Sequence, residues 1–124
     1  MRKVTKYGNK KINLAGVKYD SKLEFYCSNL LKANDFVFDF QKEIVLIDKF
    51  KYNSETIRAV KIIVDFVVYT TEKIIYIDTK GYPTDTSKLK YKMLKHYLKD
   101  EVNTSVVWLH NKKEVTEYIN NLKK

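Results

Sequence analysis

One cysteine, one proline and three glycines among 124 residues leave this chain few covalent or conformational aids to folding. Cys27 alone forms no intrachain disulfide and no cysteine zinc cluster. With only His96 and His110 to add imidazoles, structural zinc is not expected. Long hydrophobic runs are also missing: the stretch from Ile62 to Tyr69 is broken by Asp65 and falls far short of the ~18 residues of a membrane span. The basic start, Met1 to Lys6, runs into Tyr7-Gly8-Asn9-Lys10 with no apolar core of a secretory signal, which predicts a cytoplasmic protein. Acid is the scarcest of the common classes, with 15 Asp and Glu against 24 Lys and Arg. The resulting charge of +9 draws a chain to polyanions, so nucleic acid is the first partner to consider, ahead of a membrane or a small-molecule substrate.

What is present is packing material. Hydrophobic residues make up 44% of the chain and aromatic residues 14%, enough for a single core over residues 1–124 with no linker, repeat or low-complexity tract. Residues 1–19 hold Arg2, Lys3, Lys6, Lys10, Lys11 and Lys18 and no acid. They read as a basic arm, with a weak hairpin signal at Ala15-Gly16, and Lys10 and Lys11 are candidate DNA contacts. Asp20-Ser21 caps a helix over 21–33 whose apolar positions Leu23, Tyr26, Cys27, Leu30 and Leu31 recur at helical spacing. Alternating Phe36, Phe38 and Phe40 open one long strand or two short ones reaching Asp48, and a polar loop follows to Glu55. Strands at 56–69 and 74–79 complete a three-strand meander. Gly81 and Pro83 end it, and Thr86 or Ser87 caps a helix over 87–99 with an inner face of Tyr91, Leu94, Tyr97 and Leu98. Lys88, Lys92, Lys95 and Lys99 stripe the other side, and Lys88 and Lys92 are candidate phosphate contacts or simply a solvated face. His96 reads as packed, as do Cys27 and Trp108. A strand at 106–109, reached by a crossover that is right-handed if the strand joins the sheet parallel, and a helix at 114–122 close an α/β order of helix, three strands, helix, strand, helix.

Asp65 is out of place in such a pattern. Its strand, Ile62-Ile63-Val64-Asp65-Phe66-Val67-Val68, is apolar on both faces and therefore central. Burying a lone carboxylate costs several kcal/mol, so a partner is required. Asp78 and Lys80 share one face of the next strand, and a hairpin symmetric about Thr70 to Lys73 sets Asp65 opposite Asp78. Two facing acids repel unless a cation lies between them, and hard oxygen donors suit magnesium or manganese. Lys80 beside such an ion can orient or deprotonate water, or stabilise charge on a phosphorane. A structural salt bridge from Asp65 to Lys80 or Lys61 is the competing reading.

Three segments taken together resemble the PD-(D/E)XK nuclease pattern: Asp20-Ser21-Lys22-Leu23-Glu24, Val64-Asp65-Phe66 and Ile77-Asp78-Thr79-Lys80-Gly81. Over roughly residues 6 to 109 they are most similar to small phage endonucleases of the endonuclease I, Holliday-junction-resolving type. The resemblance implies a restriction-endonuclease-like mixed sheet and a Mg2+- or Mn2+-dependent hydrolase that cuts DNA, by preference branched DNA, as a homodimer during recombination in a bacterial host cell, encoded by a phage. It makes Asp65, Asp78 and the Thr79 carbonyl metal ligands, Lys80 the catalytic lysine, and Glu24 a further acid of the site. Val64 stands where relatives have proline, and Asp78 where many have Glu. Glu24 also fits a capping box with Ser21, and Gln41 is either a site residue or an exposed polar one. Within the same chemistry, a nicking or restriction-type enzyme on other DNA is the alternative. Outside it, the alternative is a noncatalytic basic DNA-binding protein.

Overall fold

The computed structural model describes residues 12–14, 17–19 and 21–124. Strands β1 (Ile12–Leu14) and β2 (Val17–Tyr19) pair antiparallel as the hairpin anticipated at Ala15-Gly16. Helix α1 (Lys22–Ala33) starts where Ser21 accepts a hydrogen bond from the Glu24 N–H at 3.1 Å, and it ends at Asn34. The next strand is one long element, β3 (Val37–Ile47). The segment from Asp48 to Glu55, expected as a loop, contains most of a second small hairpin, β4 (Phe50–Tyr52) and β5 (Glu55–Ile57). Its turn residues Asn53 and Ser54 have φ of 46° and 68°, the left-handed pair that matches strand twist in a two-residue loop, so polar composition concealed a turn.

Strands β6 (Val60–Tyr69), β7 (Ile74–Thr79) and β8 (Thr104–Leu109) join β3 in one sheet of order β3-β6-β7-β8. The first two pairings are antiparallel and β7 with β8 is parallel, so the sheet is mixed and the class is α/β. The crossover between β7 and β8 is helix α2 (Asp85–Tyr97). It begins earlier than Thr86, because Thr84 is the cap: its hydroxyl accepts from the Ser87 N–H while the Thr84 N–H donates to the Ser87 hydroxyl. Tyr91, Leu94 and Leu98 turn inward as expected. Tyr97 and His96 do not and are exposed, since at about 100° per residue they lie about 100° and 160° around the helix from the buried Leu98. Helix α3 (Lys112–Asn120) closes the chain behind an Asn111 cap, with Val115 and Ile119 buried. No helix of the described residues is long and apolar enough to cross a membrane.

The sheet has a hydrophobic cluster on each side. Cys27, Leu31, Val115 and Ile119 of α1 and α3 meet Phe66, Val68, Ile75 and Ile77, with Phe38 and Phe40 against them. Tyr91, Leu94 and Leu98 of α2 meet Ile62, Val64 and Val67, with Ile44 and Leu46 against them. Side chains two apart on a strand share a face, so Ile62, Val64, Phe66 and Val68 would all point one way in a regular strand. Here Ile62 and Val64 pack with α2, and Phe66 and Val68 pack with α1 and α3. The partner strand does the same, Phe38 and Phe40 facing one cluster, Ile44 and Leu46 the other. Both strands therefore turn over at one level, between the pairs Phe40 with Phe66 and Lys42 with Val64. The residues at that level are Gln41 and Asp65. Gln41 carries a φ of 54°, a left-handed conformation that costs a side-chain-bearing residue about 1 kcal/mol or more and that rotates the strand.

Candidate active site at the sheet switch point

Glu24, Asp65 and Asp78 are 1%, 0% and 2% exposed, although carboxylates are seldom buried so deeply without partners. The first two come together at the turnover of β3 and β6. On α1, Glu24 sits one turn inside the capped end, and its Oε1 accepts a hydrogen bond of 3.0 Å from Gln41 Nε2. Gln41 is therefore turned to the buried acid, which the sequence left open. Across the ladder at the same level, the Asp65 Oδ2 accepts two hydrogen bonds from Thr79, 2.9 Å from the backbone N–H and 3.0 Å from the hydroxyl. The buried thiol of Cys27 is pushed up well above its ordinary range, chiefly by burial, then by the charges of Asp65 and Glu24. The Cys27 thiol is an inert filler of the core there.

The hairpin register matches the symmetric one, with pairs from Tyr69–Ile74 to Phe66–Ile77. One rung further on stand Asp65 and Asp78. At this rung the Thr79 N–H is taken by the Asp65 side chain, which substitutes for a strand carbonyl and holds the open end of the ladder. Asp78 and Lys80 lie on the α2 side and line a cleft of about 380 Å³ between β6, β7 and the start of α2. Thr79, between them in sequence, points to the other side, toward Asp65. Lys61, Ile62 and Ile63 of β6, the cap Thr84, and Thr86, Ser87, Lys90 and Tyr91 of α2 form the rest of the cleft, with Glu43 at one edge, 3.7 Å from the Lys61 ammonium.

Lys80 is fixed at the backbone on both sides of its peptide unit. Its N–H donates to the Leu109 carbonyl at 3.1 Å, and its carbonyl accepts from the Trp108 indole N–H at 3.1 Å. Trp108 is in turn held against the Tyr91 ring, centroid to centroid 4.8 Å, and stacked with His110 at 6.1 Å. The strand end that carries Asp78 and Lys80 is thus anchored to α2 and β8 together.

Sequence reasoning set Asp65 and Asp78 on one face; in the structure Asp78 and Lys80 line the cleft on the α2 side, whereas Asp65 bonds to Thr79 and Glu24 to Gln41, and none of these four lines the cleft. Lys88 and Lys92 are exposed and do not line the cleft, because the helical phase set by the buried Tyr91, Leu94 and Leu98 turns Ser87 and Lys90 to the cleft side and the other two lysines away from it. Lys90 was legible in principle, lying three residues after Ser87 and next to Tyr91 on one helical face. Lys10 and Lys11 lie outside the described residues. Among the described residues no group of three or more His, Cys, Asp or Glu side chains is gathered as a metal cage. Magnesium does not require one, since it binds through one or two carboxylates and retains several waters.

These features define a mixed α/β chain with buried acids and cleft lysines at the opening between two strands. A family model described as "Protein of unknown function (DUF1064)" matches residues 4–117, and the chain belongs to that family. No curated protein and no solved structure matches it.

Proposed function

We propose that this protein is a metal-dependent endonuclease that hydrolyses phosphodiester bonds in DNA, with branched DNA as its preferred substrate. The observation that carries the reading is that Asp78 in β7 and Lys80, just past its end, both line a cleft also walled by Lys61 and Lys90, at the rung where Asp65 is buried. A structural salt bridge at this point would need no cleft and no additional lysines. Asp65, Asp78 and the Thr79 carbonyl are the groups that would hold a magnesium or manganese ion. When bound, that ion supplies Lewis-acid polarisation of the phosphate and a more acidic water. Lys80 directs its ammonium group to the developing negative charge, and the remaining lysines hold the flanking phosphates without reading base sequence. Glu24, held by Gln41, adds negative potential beside Asp65. Paired nicks in a four-way junction need two such sites, so the reading includes a homodimer with a twofold axis.

The test is cleavage of a four-way junction and of a linear duplex of the same sequence, in magnesium and in chelator. Magnesium-dependent cutting with a preference for the junction is expected. Equal rates on the two DNAs would remove branched-DNA selectivity and leave a general nicking enzyme, and binding without any cleavage would leave a DNA-binding protein.

A further inference from the structure

β4 and β5 depart from the sheet between the end of β3 and the start of β6 and pair only with one another. The pairs are Phe50 with Ile57, Lys51 with Thr56 and Tyr52 with Glu55. Directly opposed residues share a face, so Phe50, Ile57, Tyr52 and Glu55 lie on one side of the ribbon and Lys51 and Thr56 on the other. Strand alternation continued one residue outward places Lys49 and Arg58 on the Lys51 side, and continued two residues outward places Asp48 on the Phe50 side. The charges of the ribbon are thereby sorted: three cations on one face, both acids on the opposite one. Lys49, Lys51 and Arg58 are exposed. Arg58 is also three residues from Lys61, roughly 10 Å of extended chain, so the basic face adjoins the wall of the cleft.

We infer that the basic face of this ribbon is a wing that lies along the phosphate backbone of a DNA arm leaving the cleft. The inference rests on DNA being the partner, and it extends the contact surface beyond the cleft. A two-stranded ribbon is narrow enough for the major groove, and a face with three cations and no acid follows a phosphate track without requiring a base sequence. Sorting of the charges is the deciding feature, because a merely solvated hairpin has no need to keep Asp48 and Glu55 off the Lys51 side.

The experiment uses the full chain carrying Lys51→Glu with Arg58→Glu, and a milder Lys51→Ala with Arg58→Ala pair. Binding to a four-way junction is followed by fluorescence anisotropy in chelator across a salt series. For the charge-reversed pair the Kd rises about tenfold or more, and for both pairs the slope of log affinity against log salt becomes shallower by about 1.8, two phosphate contacts' worth. Glu55→Gln, on the other face, changes affinity by less than about twofold. Unchanged affinity and slope in both pairs overturn the wing. So does an affinity loss accompanied by a changed sedimentation mass, which would assign the ribbon to a second copy of this chain. Wild-type protein that binds the junction but never cuts it in magnesium overturns the nuclease reading and leaves the wing standing; no binding to any DNA overturns both.

Discussion

The carboxylate of Asp65 accepts two hydrogen bonds from a single residue, Thr79, through its backbone N–H and its hydroxyl. One acid thereby ends the β6–β7 ladder and fixes the backbone of the residue between Asp78 and Lys80. Hydrogen bonds to a buried charged group contribute about 1.5–3 kcal/mol each, against about 1 kcal/mol for a neutral pair. Thr79→Val keeps the shape and the backbone bond while deleting the hydroxyl. It should lower stability by roughly 1.5–3 kcal/mol in urea denaturation, and Thr79→Ser should recover most of that loss. Equal midpoints for the Val variant and the wild type would show that the hydroxyl bond adds nothing.

Asp78→Asn separates chemistry from binding. If Asp78 holds the metal, the cleavage rate falls by about a thousandfold or more, several kcal/mol of lost charge stabilisation. DNA affinity holds or tightens, because a negative charge near phosphate is gone. Single-turnover rates and anisotropy on the same junction read both quantities. Full activity in the variant would end the role assigned to Asp78.

Trp108→Phe removes the indole N–H that the Lys80 carbonyl accepts and leaves a ring to pack on Tyr91. The lost hydrogen bond costs about 1 kcal/mol of stability. If Trp108 positions Lys80, kcat drops while KM stays, since the substrate's other contacts are intact. A parallel change in both constants, or in neither, would reduce Trp108 to packing.

Glu114 accepts hydrogen bonds from His110 at its backbone N–H and its ring, both 2.9 Å, and these hold its carboxyl below the usual range, the backbone bond contributing most. A depressed folded-state pKa stabilises the protein above the unfolded value, and this contribution disappears as pH falls through the folded one. The difference in Tm between wild type and Glu114→Gln should therefore be widest near neutrality and close as the solution is acidified past the ordinary glutamate range. A difference that stays constant into acid would contradict the linkage. Glu114 is exposed, so the effect is small and shrinks further with added salt.

Much of this arrangement was legible in the residues. Loop length alone set the β6–β7 register, because Thr70 to Lys73 closes symmetrically: the Thr70 N–H donates to the Lys73 carbonyl at 2.9 Å. An acid inside Ile62 to Val68 advertised itself by the desolvation it incurs, and the capped helix brought Glu24 within reach. Other features had no such signal. The left-handed turn at Asn53-Ser54 lacks the glycine that usually marks one, so β4 and β5 read as a loop. Thr84, Thr86 and Ser87 are all competent caps, so the first turn of α2 could not be placed from composition alone. The turnover at Gln41 was hidden because backbone sign is not written in a glutamine; only the packing partners of Phe40 and Ile44 reveal it.

That turnover ties the candidate site to the architecture. Deleting or inserting one residue in β3 or β6 beside Gln41 or Asp65 would aim the following hydrophobes at water and swing the acids out of line in the same stroke. Sequence drift that preserves the two apolar layers must therefore also preserve the spacing of Gln41 and Asp65, so the scaffold is a proofreader of the candidate site.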